Sequence, residues 1–161
     1  MYYIDYHTHP ISHGEDEVKP YHNKNLLLNF VKKAKENDID EIGFSDHDKF
    51  ITEFNWNNLF KVKKESDIQV KLGLEVDYIP GEEENIEKMT QKKDFDYIIG
   101  SVHNIGDWSF DYYKYKDKLK KWDIEELYEK YFQLVKEMVK SDLFDIVGHL
   151  DLIKIFGYKI S

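Results

Sequence analysis

The chain has 161 residues, of which 41% are hydrophobic, 16% aromatic and 34% charged, a balance that supports one globular domain with a buried core and excludes a disordered chain. A formal net charge of −9 argues against a general affinity for nucleic acid, and the absence of cysteine restricts any metal site to nitrogen and oxygen donors. No apolar run approaches the roughly 18 residues that span a bilayer, and MYYIDYH lacks the pattern of a signal peptide, so a cytoplasmic protein with no membrane partner is expected.

In chain order, residues 2–6 (YYIDY) read as a short strand that runs into His7, His9 and His13, followed by a polar loop through Pro20. Leu26, Leu27, Phe30, Val31 and Ala34 recur at helical spacing and predict a helix from Asn25 to about Glu36. Residues 41–48 (EIGFSDHD) predict a second strand ending in Asp46, His47 and Asp48, with a weaker helical region over about 53–64. A third strand is expected from about Ile68 to Pro80, with Glu75 toward its C-terminal end. The acidic run Glu82 to Glu84 reads as a solvated loop, and His22 as a surface residue. Tyr97, Ile98 and Ile99 form a buried-looking strand that leads through Gly100 and Ser101 to His103. Asp123 with Glu126 then makes an N-cap with a capping-box partner for a helix ending near Lys140. A last strand, residues 143–151 (LFDIVGHLD), carries His149.

Strands alternating with helices predict an α/β fold with a largely parallel sheet, in which active groups gather where strands give way to loops at the C-terminal face. Five of the seven histidines, and Glu75, fall at such predicted strand ends. Imidazoles and carboxylates are natural ligands for Zn²⁺, Mn²⁺ or Fe²⁺, and a His-x-His pair on an extended strand turns both rings to one face. Each residue also has a plainer reading. His7 and His9 fit an ordinary polar loop, His103 and His149 fit backbone-bonded histidines, and Asp46 and Asp151 fit turn caps or partners that orient a neighbouring imidazole. It is the coincidence of all of them at strand ends that favours a metal site.

The segments DYHTHPISHG, GFSDHD, GLEVDY, GSVHN and GHLDLIK, in that order and spanning nearly the whole chain, resemble the polymerase and histidinol phosphatase (PHP) superfamily, and most closely its histidinol-phosphatases. The resemblance implies a distorted (β/α)₇ TIM-like barrel holding two to three divalent ions, Zn, Mn or Fe, and hydrolysis of a small phosphorylated substrate, with histidinol phosphate favoured, by metal-activated water. By matching motif, His7, His9 and Glu75 would hold a first ion. Glu75 would bridge to a second held with His103 and His149, and His13 and His47 would belong to a third. Asp46 would orient a ligand or carry a proton, and Lys154 would contact the substrate phosphate.

Two departures shape the expectation. Family members finish with an Asp-x-His motif on a late strand, which this chain reaches Ser161 without, and only about five of seven strands are counted, so residues 1–161 read as a single PHP domain truncated at its C-terminus. A homodimer partner, water or a missing segment could complete the ligand set. The chain also has no arginine; all 23 basic residues are lysines, which removes the planar two-pronged grip on phosphate. The alternatives are another phosphoesterase of the superfamily, directed at phosphotyrosine or nucleotides, and a metal-binding fragment without activity.

Overall fold

The computed structural model describes residues 1–11 and 21–157. Its strands and α-helices in chain order are β1 (Ile4–Thr8), α1 (Lys24–Glu36), β2 (Glu41–Phe44), α2 (Trp56–Glu65), β3 (Gln69–Asp77), α3 (Glu83–Thr90), β4 (Tyr97–Ser101), β5 (Asn104–Ile105), β6 (Trp108–Ser109), α4 (Ile124–Lys140) and β7 (Ile146–Val147). The main sheet has the strand order β1-β2-β3-β4-β7, and β5 with β6 forms a separate antiparallel pair. Two compact units divide the chain: Met1–Glu75 with Lys93–Ile98, and Val76–Lys92 with Ile99–Ser161. No helix of the described residues is long and apolar enough to cross a membrane.

In the first unit β1, β2 and β3 run parallel. The helix α1 forms where the 3.6-residue apolar stripe predicts it, burying Leu27, Val31 and Ala34, and Asn23 caps it by accepting the Asn25 N–H. Asn55 caps α2 in the same way for Asn58, and Leu59 and Val62 are buried from that helix. The strand β2 is buried at all four positions, as expected for a parallel strand covered on both faces. Gly43 and Gly73 lie beneath the Tyr97 ring, and a Cβ on either would overlap it. Tyr97 stacks on Tyr6 at 4.8 Å between ring centroids and donates its hydroxyl proton to the Tyr6 carbonyl at 2.6 Å. Burial pushes the Tyr97 hydroxyl well above the ordinary tyrosine range.

In the second unit β4 pairs in parallel with β7, and the Gly148 N–H donates to the Gly100 carbonyl at 2.8 Å. The longest helix, α4, starts at the predicted cap, where Asp123 accepts from the Glu125 and Glu126 N–H groups. Leu127, Tyr128, Tyr131, Val135 and Met138 are its buried face. One expectation fails here, because the acidic run is not a loop: Glu83 and Glu84 are the first residues of α3. Their charges favour a helix N-terminus, where they offset the positive end of the dipole, and the single buried contact of that helix is Ile86.

Gly73→Ala should destabilise the protein by ~1–3 kcal/mol, the usual cost of overpacking. Urea unfolding should show this, and Tyr97→Leu in the same chain should recover part of the loss.

Candidate metal centre

Four donors from three strand ends converge in the first unit. The β2–β3 register pairs Glu41 with Gln69 through Phe44 with Leu72, and the same alignment continues to an isolated parallel bridge between His47 and Glu75. Glu75 is also tied by its N–H to the Asp46 carbonyl at 3.1 Å. From the irregular end of β1, His7 and His9 extend toward the same carboxylate, their ring centroids 5.0 Å apart. Glu75 Oε2 lies 3.2 Å from His7 Nε2, 3.4 Å from His9 Nε2 and 3.2 Å from His47 Nδ1, and Glu75 is 0% exposed.

A tetrahedral ion with bonds of about 2.0–2.2 Å sets its donors roughly 3.3 Å apart, so these separations are those of ligands around one ion. The ligand atoms of His9, His47 and Glu75 all lie within 4.8 Å of one another, which leaves room for one ion among them. Three imidazoles and a carboxylate suit Zn²⁺, Mn²⁺ or Fe²⁺, and the donor set fits a divalent cation.

The second unit gathers His103, His149, Asp77 and Asp111. His103 Nε2 lies 3.3 Å from His149 Nε2, while His103 Nδ1 pairs with Asp77 Oδ1. That pairing puts the His103 proton on Nδ1 and leaves Nε2 as a donor atom, the usual arrangement of a carboxylate behind a ligating histidine. Asp77 Oδ2 accepts from Asn104 Nδ2 at 3.1 Å, and Ser109 Oγ donates to Asn104 Oδ1 at 2.6 Å, so the β5–β6 pair fixes the carboxylate. The buried Tyr131 of α4 donates its hydroxyl to the His149 carbonyl at 3.1 Å, and burial raises that hydroxyl to about 12. Asp111 is half-buried; desolvation raises its carboxyl above the ordinary range, against the opposing pull of His103 and His149.

Of the residues singled out by sequence, His7, His9, His47 and Glu75 are brought together, and His103 lies beside His149. His47, which the resemblance sets apart on a third ion, stands as near to Glu75 as His7 does. His13 lies outside the described residues. Lys154 is exposed and paired with Asp151 at 3.0 Å. Asp46 is 1% exposed, accepting the Ile11 N–H at 2.9 Å and bonding His22 Nε2 at 2.7 Å.

His22 is therefore not a surface residue; it is fully buried beneath Phe54. Its burial escapes the sequence because a lone histidine in a polar stretch carries no periodic signal. Asp77 is a further residue of this site, and the Glu-x-Asp alternation on β3, which turns it to the same face as Glu75, is its mark in the sequence.

An α/β chain whose parallel strands deliver imidazoles and buried carboxylates to their C-terminal ends belongs to the class built around metal centres. The chain is a member of the PHP domain family, which matches residues 5–160. The resemblance and the expected fold, a PHP-type TIM-like α/β barrel with five parallel strands among the described residues, are both borne out.

The chain is 45% identical over 91 residues to a probable histidinol-phosphatase of Deinococcus radiodurans, a match covering 56% of this chain and 35% of that protein. It is 26% identical over 170 aligned positions to the histidinol-phosphatase of Lactococcus lactis, covering 96% of this chain and 58% of that one. The crystal structure of the Lactococcus lactis histidinol phosphate phosphatase, complexed with Zn, L-histidinol and phosphate, superposes with a TM-score of 0.64 at 24% identity over 92% of this chain and 58% of that chain. The matches thus span between about a third and somewhat over half of the relatives' lengths.

Glu75→Gln should weaken Zn²⁺ binding by more than about a hundredfold, since loss of a ligand should exceed the 10–100-fold cost of losing an outer partner; competition with a chromophoric chelator measures it. Because the raised Asp111 carboxyl keeps its proton to higher pH in the folded chain than in the unfolded one, its contribution to stability is present at low pH and is lost as pH rises through the raised value. Asp111→Asn should accordingly raise the melting temperature of the metal-free protein at pH 7, with the gain shrinking as pH falls toward about 4.

Proposed function

We propose that the chain is a metal-dependent phosphomonoester hydrolase that converts L-histidinol phosphate and water to L-histidinol and phosphate. The carrying observation is the convergence of His7, His9 and His47 on the buried Glu75 carboxylate at ion-ligand separations. The similarity to proteins described as histidinol-phosphatases supports the choice of substrate. The PHP match across residues 5–160 supports reading 1–161 as one PHP domain.

On this reading His7, His9, His47 and Glu75 hold one divalent ion, and His103 with His149 contributes to a second. An ion in such a site lowers the pKa of a bound water to about 7 and offsets charge on a phosphoryl oxygen. The chain's own residues supply orientation. Asp77 fixes the His103 tautomer, Tyr131 holds the His149 backbone, and Asp46 accepts the Ile11 N–H beside the first cluster. In the overall reaction a new bond forms from water oxygen to phosphorus, the ester P–O bond breaks, and the departing alkoxide takes a proton.

The absence of arginine from these 161 residues keeps a second reading in view, a phosphoesterase of different substrate preference, because the lysines present, Lys154 among them, offer a phosphate only point charges. Phosphate release from L-histidinol phosphate should exceed that from phosphotyrosine and nucleotides at equal concentration, and a chelator should abolish it. Equal rates on all three would favour the second reading, and bound metal without release from any of them would leave only a binding role.

A further inference from the structure

We propose that His22 is a positioning residue for the first metal cluster, acting through Asp46; this rests on the ion reading above. The His22 ring has 0% exposure; its nitrogens meet Asp46 and the Asn55 backbone, and Phe54 packs edge-on with ring centroids 4.7 Å apart. The Asn55 backbone N–H donates to its Nδ1 at 3.3 Å. A nitrogen that accepts cannot carry a proton, so the neutral ring must hold its proton on Nε2, which faces Asp46 Oδ2 at 2.7 Å. One ring thus reads a fixed backbone donor and passes a fixed N–H to the carboxylate.

The effect of that N–H is to set which way Asp46 points. With Oδ2 held by His22, Oδ1 accepts the Ile11 N–H at 2.9 Å and stands 3.9 Å from His9 Nδ1, while His9 turns Nε2 to Glu75. At 3.9 Å the contact with His9 is electrostatic rather than a hydrogen bond. Asp46 holds the cluster through the backbone, at Ile11, two residues after His9, and at Glu75, whose N–H its carbonyl accepts at 3.1 Å. Losing a partner that positions ligands typically costs 10–100-fold in metal affinity. His22 also pins α2, since its carbonyl accepts from Asn58 Nδ2 at 2.9 Å.

The backbone of His22 is left-handed, with φ of +51°, a conformation uncommon outside glycine although histidine adopts it more readily than most residues. Simple core filling would not require a ring whose two nitrogens are both committed in opposite senses.

Zn²⁺ alone is the probe, with affinity read by chelator competition and folding by circular dichroism. His22→Phe should lower Zn²⁺ affinity 10–100-fold with the protein still folded, and His22→Gln, whose amide can donate to Asp46, should restore most of it. Asp46→Asn should show a loss similar to that of His22→Phe. Adding His22→Phe to Asp46→Asn should change affinity less than about twofold, because the route runs through Asp46.

Wild-type affinity in His22→Phe overturns the inference, as does an undiminished further loss in the Asp46→Asn background. Wild-type protein that takes up no Zn²⁺ overturns the ion reading itself and the inference with it. Should His22→Phe not fold, ¹⁵N NMR of wild-type imidazoles decides: a neutral His22 protonated on Nε2 supports the inference, and a proton on Nδ1 overturns it.

Discussion

A carboxylate with no access to water governs the first unit. Glu75 is wholly buried, and an uncompensated buried charge is costly enough that the surrounding chain must answer it. Three imidazole nitrogens stand around one of its oxygens, where a bound cation would answer the charge, and delivering them fixes the local architecture. β2 and β3 hold the same parallel alignment from Glu41 to His47, so a slip of one residue would turn Glu75 to the opposite face of its strand. β1 departs from regular pairing between Asp5 and Thr8, in the stretch that carries His7 and leads into His9. Asp46, one residue before His47, is spent on tethering Ile11 and His22.

The second unit solves a similar problem with different parts. Its two imidazoles are set by a carboxylate behind His103 and by a phenol beneath the His149 backbone. Close approach of β4 and β7 is possible because Gly148 presents no side chain to Ser101 and Gly100 none to Phe144. The donor atoms therefore sit on paired strand ends and a helix-backed loop, with polar side chains from the β5–β6 pair completing the support.

Much of this was legible in the sequence, for reasons that differ by element. α1 and α4 announce themselves through apolar stripes and capping residues, and Asp123 caps α4 where the pattern places it. His7, His9, His47, His103, His149 and Glu75 were legible because they terminate apolar strand segments. α3 was not, since its stretch is dominated by charge and its apolar content reduces to one buried isoleucine. His22 was invisible because its partner Asp46 is supplied by tertiary structure, from the loop after β2, and nothing near position 22 signals burial. Asp111 owes its character to desolvation, a property of the folded chain that no local pattern encodes.

The ring of Tyr97 lying across Gly43 and Gly73 has a consequence for how this sequence can drift. A side chain at either glycine collides with the ring, while loss of the ring opens a void above two bare backbones and removes the hydrogen bond to Tyr6. The three positions belong to three different strands, yet their packing is coupled. A side chain gained at either glycine is accommodated only as the ring across it gives way, so the room at positions 43 and 73 is set by what stands at position 97.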